Sequence, residues 1–382
     1  MSAGDRRVGI RGVGTSDFGS FPERRIEELG WAAATEALDD AGIAPDDVEL
    51  AFVGSVFGAP GLANRVLAGV GLGGVPAFAI EAACASGTVA LHEAYEAVRS
   101  GRCRVAIALG VEQLSTQFSG PIVPEPSAPE GRTGLALPAL YALQAERYLQ
   151  RYDVDPDLLA HVAVKNKSAG ARNPRAHLGD RAPTLDDVLE SRPIAGPLTL
   201  LQCCPMSDGA GAAIVTAYEP GDVEILSSER ASGTWWNSGS EEPWGFETVR
   251  DTARRALDAA DVRLDDVDVF EVHDAFTIGE VLTVEAIGLA EPGRGAELAA
   301  AGHTAIGGRS PVNPSGGLLS RGHPLGATGL AQTTELVWQL RGEAGERQVD
   351  GARLALLETM GGGAAGVDAN ACVIALLRGP ER

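Results

Sequence analysis

Glu36-Ala37-Leu38-Asp39-Asp40-Ala41-Gly42, followed by Asp46-Asp47-Val48-Glu49-Leu50-Ala51-Phe52-Val53, comes back later in the chain as Arg255-Ala256-Leu257-Asp258-Ala259-Ala260-Asp261, followed by Asp265-Asp266-Val267-Asp268-Val269-Phe270-Glu271-Val272. The spacing between the two parts is the same in both copies. Each reads as an amphipathic helix, an Asp-rich turn and a buried strand. A repeat on this scale within 382 residues implies two copies of one folding unit rather than one enlarged core.

A second matching pair extends the repeat outward. Ser86-Gly87-Thr88 opens a helix that leads through Gly101 to the apolar strand Val105-Ala106-Ile107-Ala108-Leu109-Gly110, and Ala327-Thr328-Gly329 opens one that leads to Arg353-Leu354-Ala355-Leu356-Leu357-Glu358. Strands apolar on both faces need helices on both sides, and duplicated halves bury most when helices are shared between two sheets. The expected fold is α/β, layered α/β/α/β/α, from two βαβ-rich halves related by a pseudo-two-fold. The N-terminal half is read over 1–114 and 198–220, the C-terminal half over 221–382. Residues 115–197 depart from the repeat, with Pro and Gly punctuating helical patterns over 136–152 and 156–167. They are read as a loop domain inserted over the active face.

Composition bounds the function. No stretch reaches the about 18 apolar residues of a membrane helix, and the N-terminus lacks the apolar core of a signal peptide, so the chain reads as cytoplasmic with no membrane partner. The five cysteines, Cys84, Cys103, Cys203, Cys204 and Cys372, are odd in number and lack C-x-x-C spacing, which argues against a disulfide framework and against a metal site. A formal charge of −21 disfavours a nucleic-acid partner. The Gly-rich loop over 69–74 precedes a strand where a dinucleotide fingerprint follows one, which excludes bound NAD or FAD.

The chemistry gathers elsewhere. An apolar run over 75–80 drives into Glu81-Ala82-Ala83-Cys84-Ala85-Ser86-Gly87-Thr88. A cysteine between a strand end and the first turn of a helix faces unpaired N–H groups and the positive end of the helix dipole. That predicts a thiol below its reference pKa of about 8.5 and fits a nucleophile, with a buried structural cysteine an equal reading of these residues alone. The second half supplies Val272-His273-Asp274-Ala275-Phe276 at a strand end, and Asn313-Pro314-Ser315-Gly316-Gly317 with Arg321-Gly322-His323-Pro324 in a loop. Ligands of open α/β sheets gather at carboxyl strand ends, so the three stretches are expected to converge. His323 then reads as the base for Cys84 and His273 as a donor to a substrate oxygen, while Asp274 reads as a cap for the following helix. The run Thr359-Met360-Gly361-Gly362-Gly363 suits either an oxyanion hole or a tight turn. Residues 201–210 are assigned to packing.

Cys84-Ala85-Ser86-Gly87, the His-Asp-x-Phe of 273–276, and Asn313 to Gly329 with Gly322-His323-Pro324 resemble the thiolases, nearest the lipid-transfer (sterol carrier protein X) and archaeal type. The likeness runs over nearly the whole chain. The resemblance implies the five-layered αβαβα fold, a homodimer, and coenzyme A thioesters as substrates with no bound cofactor. It makes Cys84 the acylated nucleophile, His323 its activator and oxyanion donor, and His273 the orienter of an oxyanion water. It gives the Gly361 and Cys84 amides to a second oxyanion hole.

One departure stands out: the second cysteine that serves thiolases as acid/base at the α-carbon is replaced, by Thr359 where one branch carries it and by Ala275 where the lipid-transfer branch carries it. The expected activity is an acyl-CoA acyltransferase of thiolase type working in lipid metabolism through acyl-Cys84, forming or thiolytically cleaving a C–C bond. The alternatives are a retro-aldolase on a β-hydroxyacyl-CoA such as a steroid side chain, with a small zinc-ribbon and OB-fold partner, and a non-catalytic acyl-channelling subunit. Lys165, Arg172 and Arg175 of the insertion are candidates for gripping the CoA phosphates.

Overall fold

The computed structural model of the protein describes residues 6–127, 131–235, 242–362 and 369–381. The first half forms β1 (Val8–Thr15), α1 (Ile26–Ala41), β2 (Leu50–Gly54), α2 (Leu62–Gly69), β3 (Ala77–Ile80), α3 (Ser86–Arg99) and β4 (Val105–Gln113). There follow α4 (Leu137–Tyr152), α5 (Leu158–Gly170), α6 (Leu185–Leu189), β5 (Pro193–Ala195), β6 (Leu198–Thr199) and β7 (Asp208–Ala217). The second half forms β8 (Val223–Ala231), α7 (Phe246–Ala260), β9 (Val269–Glu271), α8 (Thr277–Ala286), α9 (Gly295–Ala300), α10 (Gly317–Ser320), α11 (Thr328–Arg341), β10 (Leu354–Gly361) and β11 (Ala371–Arg378).

The sequence repeat is a structural one. Helices α1 and α7 both end on a left-handed residue, Gly42 at φ 62° and Asp261 at φ 51°, and each hands over through a 3-10 turn to a buried strand. In the first half the strands run β3-β2-β4-β7-β1, with β2 parallel to both neighbours and β7 antiparallel to both of its own. In the second they run β9-β10-β11-β8 in the same pattern, and a parallel bridge between Phe270 and Val312 stands where β3 stands in the first.

The halves are not separate sheets. Val8, Gly9 and Ile10 of β1 pair with Ile225, Glu224 and Val223 of β8, so nine strands form one hydrogen-bonded ladder. The junction is short enough for α3 and α11 to lie between the two half-sheets and pack on strands of both. One core joins Leu91 and Leu336 of these helices to Phe52 and Leu357 of the strands. Helices α1 and α2 cover the outer face of the first half-sheet, and α7 and α8 that of the second. This is the thiolase-like five-layered arrangement expected from the sequence. Helices α4 and α5 pack over α8, α9 and α10 at one end of the second half. Among the described residues no helix is long and apolar enough to cross a membrane.

The pseudo-two-fold sets the site by bringing the starts of α3 and α11 together. A Cβ on Gly87 would lie 2.6 Å from the Gly326 carbonyl oxygen, and one on Gly329 would lie 2.8 Å from the Thr88 nitrogen. Only glycine admits this backbone approach. The loops entering the two helices, one with Cys84 and the other with His323, therefore meet.

Candidate active site

Cys84 sits on a tight elbow. Ala83, just before it, is held at φ 49°, a left-handed conformation that costs a residue bearing a Cβ of order 1–3 kcal/mol. The Ser86 hydroxyl stabilises it, accepting from the Ala82 N–H at 2.9 Å and donating to the Ala83 carbonyl at 2.6 Å. The end of β10 presses on the same loop: a Cβ on Gly361 would fall 2.3 Å from the Ala82 oxygen. The amide that reaches the Cys84 sulfur is that of Gly362, one residue beyond the Gly361 expected from the sequence. Gly363 lies outside the described residues.

His323 follows Asn313, a second left-handed residue at φ 57°, in the loop equivalent to that of Cys84. Its Nδ1 lies 2.8 Å from Thr328 Oγ1, whose hydroxyl donates to the Pro324 carbonyl at 3.2 Å. A hydroxyl has one proton, so the hydrogen-bond network assigns the imidazole proton to Nδ1 and leaves Nε2 as an acceptor. His273 ends the β9 turn, its backbone N–H donating to Glu358 Oε2 at 2.8 Å, while neither ring nitrogen has a hydrogen-bond partner among the described residues. The two imidazoles stand edge to face with centroids 5.1 Å apart. The Cys84 sulfur and one nitrogen of each ring lie within 4.8 Å of one another. Zinc accepts this donor set, though a thiol held neutral must first lose its proton.

Electrostatics revises one expectation. Burial pushes the Cys84 thiol up to about 12, outweighing the Gly362 and Cys84 amides that lower it. The helix-end argument for a resting thiolate is therefore corrected: Cys84 precedes the cap residue Ala85, and desolvation dominates there. Burial lowers His273 to about 4, and burial, with the neighbouring His273 and Arg321, holds His323 well below its usual range. These shifts favour a thiol beside two neutral imidazoles.

A cavity of about 350 Å³ opens at Cys84, His323 and Gly362, walled by Leu137, Tyr141, Trp244 and Phe276. Tyr141, from the insertion, stacks on Phe276 at 4.4 Å. Residues 203–206, assigned to packing from sequence, line this cavity instead. Cys203 bridges to Phe276 and Met206 to His323, so the segment threads between the two histidine loops. Isolated bridges of this kind leave no periodic pattern; the available signal was a pair of adjacent thiols entering a buried strand. Exposed Arg192, also on the cavity wall, was likewise missed.

The expected phosphate grip is not found in two of its three members. Lys165 is buried, 2.8 Å from Glu280 Oε1, and donates to the Val312 carbonyl. Asn166 and Asn313 bond the same Glu280, tying α5 to the His273 turn and the His323 loop. Arg175 pairs with Glu36 at 2.6 Å and donates to the Thr15 carbonyl, against α1 and β1. Arg172 is exposed and not among the residues lining the cavity. Asp274 accepts from the Leu318 N–H at 2.7 Å, capping α10 rather than α8, which follows it in sequence. Thr359 donates to Gln332 at 2.7 Å in the buried central layer.

The N-terminal thiolase domain profile matches residues 10–219, and the thiolase C-terminal domain-like profile matches 231–374. The chain is 38% identical to sterol carrier protein 2 of Gallus gallus over 94% of this chain and 70% of that protein. It is 37% identical to an acetyl-CoA acetyltransferase of Methanothermobacter thermautotrophicus over 94% and 97%, respectively. It is 34% identical to the benzoylsuccinyl-CoA thiolase subunit BbsB of Thauera aromatica over 94% and 96%. In fold it matches the Ltp2-ChsH2(DUF35) aldolase with a TM-score of 0.84, 23% identity and full coverage of both chains. It matches human mitochondrial 3-ketoacyl-CoA thiolase in complex with CoA with a TM-score of 0.75 and 18% identity, over 98% of each chain.

Proposed function

Because the chain belongs to the thiolase family, whose chemistry is acyl-CoA chemistry, we propose that it is an acyl-CoA acyltransferase working through an acyl-Cys84 intermediate. A carbonyl entering the cavity end meets the thiol. As the sulfur adds, its proton passes to His323 Nε2, and the carbonyl oxygen gains charge within reach of the Gly362 and Cys84 amides. One such donor is typically worth about 3 kcal/mol. His273, with both ring nitrogens unpartnered among the described residues, donates to a second oxygen directly or through water. The apolar cavity wall suits a bulky acyl group, and Arg192 at its rim faces the phosphates of CoA.

The observation that supports this reading best is the sulfur and two imidazole nitrogens within 4.8 Å of one another, with Cys84 and His323 on the wall of a cavity. A non-catalytic channelling subunit has no use for that arrangement. The test is intact-mass analysis after incubation with a panel of acyl-CoAs: wild type gains one acyl group, and Cys84→Ala gains none. A retro-aldolase acting with a DUF35-type partner is the second reading, favoured by alanine at 275, where the lipid-transfer branch is expected to carry its acid/base cysteine. In that case Cys84→Ala keeps most C–C cleavage. We also propose a homodimer through β3, an edge strand whose Phe78 is 41% exposed and whose outer edge is unpaired among the described residues.

A further inference from the structure

Breaking or making a C–C bond beside a thioester moves a proton to or from the α-carbon. Cys84 and His323 are already engaged with the sulfur's own proton, so another group in the cavity must handle this one. The remaining candidates among the described lining residues are Arg192, Tyr141, Cys203 and Cys204. Arginine does not give up its proton in proteins. Burial drives Tyr141 further above its already high range, and the Cys203 thiol is committed to the Thr199 carbonyl at 3.3 Å.

Cys204 differs from all of these. Its sulfur makes no hydrogen bond to any described residue, while its backbone N–H donates to the Ala275 carbonyl at 2.9 Å. It is thus fixed against the turn that carries His273, in the segment whose Met206 pairs with His323, and its thiol interacts electrostatically with Cys84. Burial raises the Cys204 thiol well above its usual value, with Cys203, Asp274 and Cys84 adding to the rise, and Lys167, anchored by its bond to the Leu319 carbonyl at 2.6 Å, partly offsets it. A thiol on the neighbouring segment thus stands directly beside Ala275.

We propose that Cys204 is the acid/base at the α-carbon, an assignment that rests on the acyl-transfer reading above. In the cleavage direction the Cys84 sulfur adds to the β-carbonyl and its proton goes to His323. The bond between α- and β-carbons breaks, its electron pair stays on the α-carbon of the departing acyl-CoA, and that carbon takes the Cys204 thiol proton. The Cys204 thiolate then accepts the proton of an incoming CoA thiol, whose sulfur attacks acyl-Cys84. The Cys84 sulfur leaves with the proton held by His323, and both cysteines are thiols again.

The test is hydrogen–deuterium exchange at the α-carbon of acetyl-CoA in D₂O, read by mass spectrometry, with Cys84 acylation measured in the same samples. Cys204→Ala and Cys204→Ser, the latter keeping the size but offering a far weaker acid, should both lose exchange by about 10²–10⁴-fold while Cys84 is still acylated. Exchange at the wild-type rate in either acylated variant overturns the assignment, as does a wild type that is acylated but never exchanges. Exchange that depends on Cys204 without any acylation of Cys84 supports the assignment and removes the acyl-Cys84 reading instead.

Discussion

Replacing Thr328 by valine keeps the branched shape at the start of α11 and removes the oxygen that sets the His323 tautomer. In the native site Nδ1 and Oγ1 are 2.8 Å apart, and the hydroxyl proton points to the Pro324 carbonyl. Without that oxygen a buried N–H is left unpaired, which costs about 1–3 kcal/mol. The imidazole escapes the cost by carrying its proton on Nε2, where it can no longer accept one from Cys84. The population able to act as base falls by the same free energy, which converts to about 5- to 150-fold in the rate of Cys84 acylation. Rapid-quench intact-mass kinetics at saturating acyl-CoA measures that rate directly. Thr328→Ser keeps the acceptor and should retain most of it. Wild-type acylation in Thr328→Val, or an equal loss in Thr328→Ser, would refute the tautomer argument.

The acid limb of the acylation rate should lie well below the usual histidine range, because burial and the neighbouring His273 and Arg321 disfavour the His323 imidazolium; a limb at or above pH 6.5 in a stopped pH–rate series contradicts this. Glu358 is buried with one carboxylate oxygen unpartnered among the described residues, and burial raises its carboxyl from 4.5 to about 7. The folded state then holds a proton that the unfolded state gives up, so stability is lost as pH rises between the two values, by about 3 kcal/mol in all. Glu358→Gln should flatten that part of the urea-midpoint profile, and an unchanged profile would count against it. Arg192→Ala should raise KM for acyl-CoA by up to about fivefold, the reach of an exposed ion pair, with kcat little changed. Arg172→Ala should move KM less, and the reverse ranking would place the phosphates elsewhere.

The strand-end logic anticipated that Cys84, His273 and His323 converge: His273 directly follows β9, Cys84 follows the apolar run into β3, and His323 lies in the loop that opens α11, the counterpart of α3 in the repeat. Their convergence then follows from topology, since equivalent loops meet at a pseudo-two-fold where Gly87 and Gly329 permit backbone contact. Charge contrast failed for Lys165 because a sequence shows that a residue is basic but not that Glu280 is waiting in the core. The helix-end argument failed for the Cys84 thiol for a related reason: the donors are local and visible in sequence, whereas the desolvation that outweighs them is the sum of everything packed around the site. The joining of nine strands into one ladder was equally out of view, resting on three residue pairs between β1 and β8.

Residues 203–206 combine both difficulties. Their role depends on single backbone bridges from Cys203 to Phe276 and from Met206 to His323, long-range contacts that repeat nowhere. The same bridges explain how the chain tolerates alanine at 275. A side chain on one strand and its hydrogen-bonded neighbour on the next face one volume, so a thiol can be lost from the first and supplied by the second without moving the backbone. If that is the arrangement here, Ala275→Cys introduced into Cys204→Ala should restore α-proton exchange, because it returns the thiol to the same cavity wall from the other side of the Cys204–Ala275 hydrogen bond.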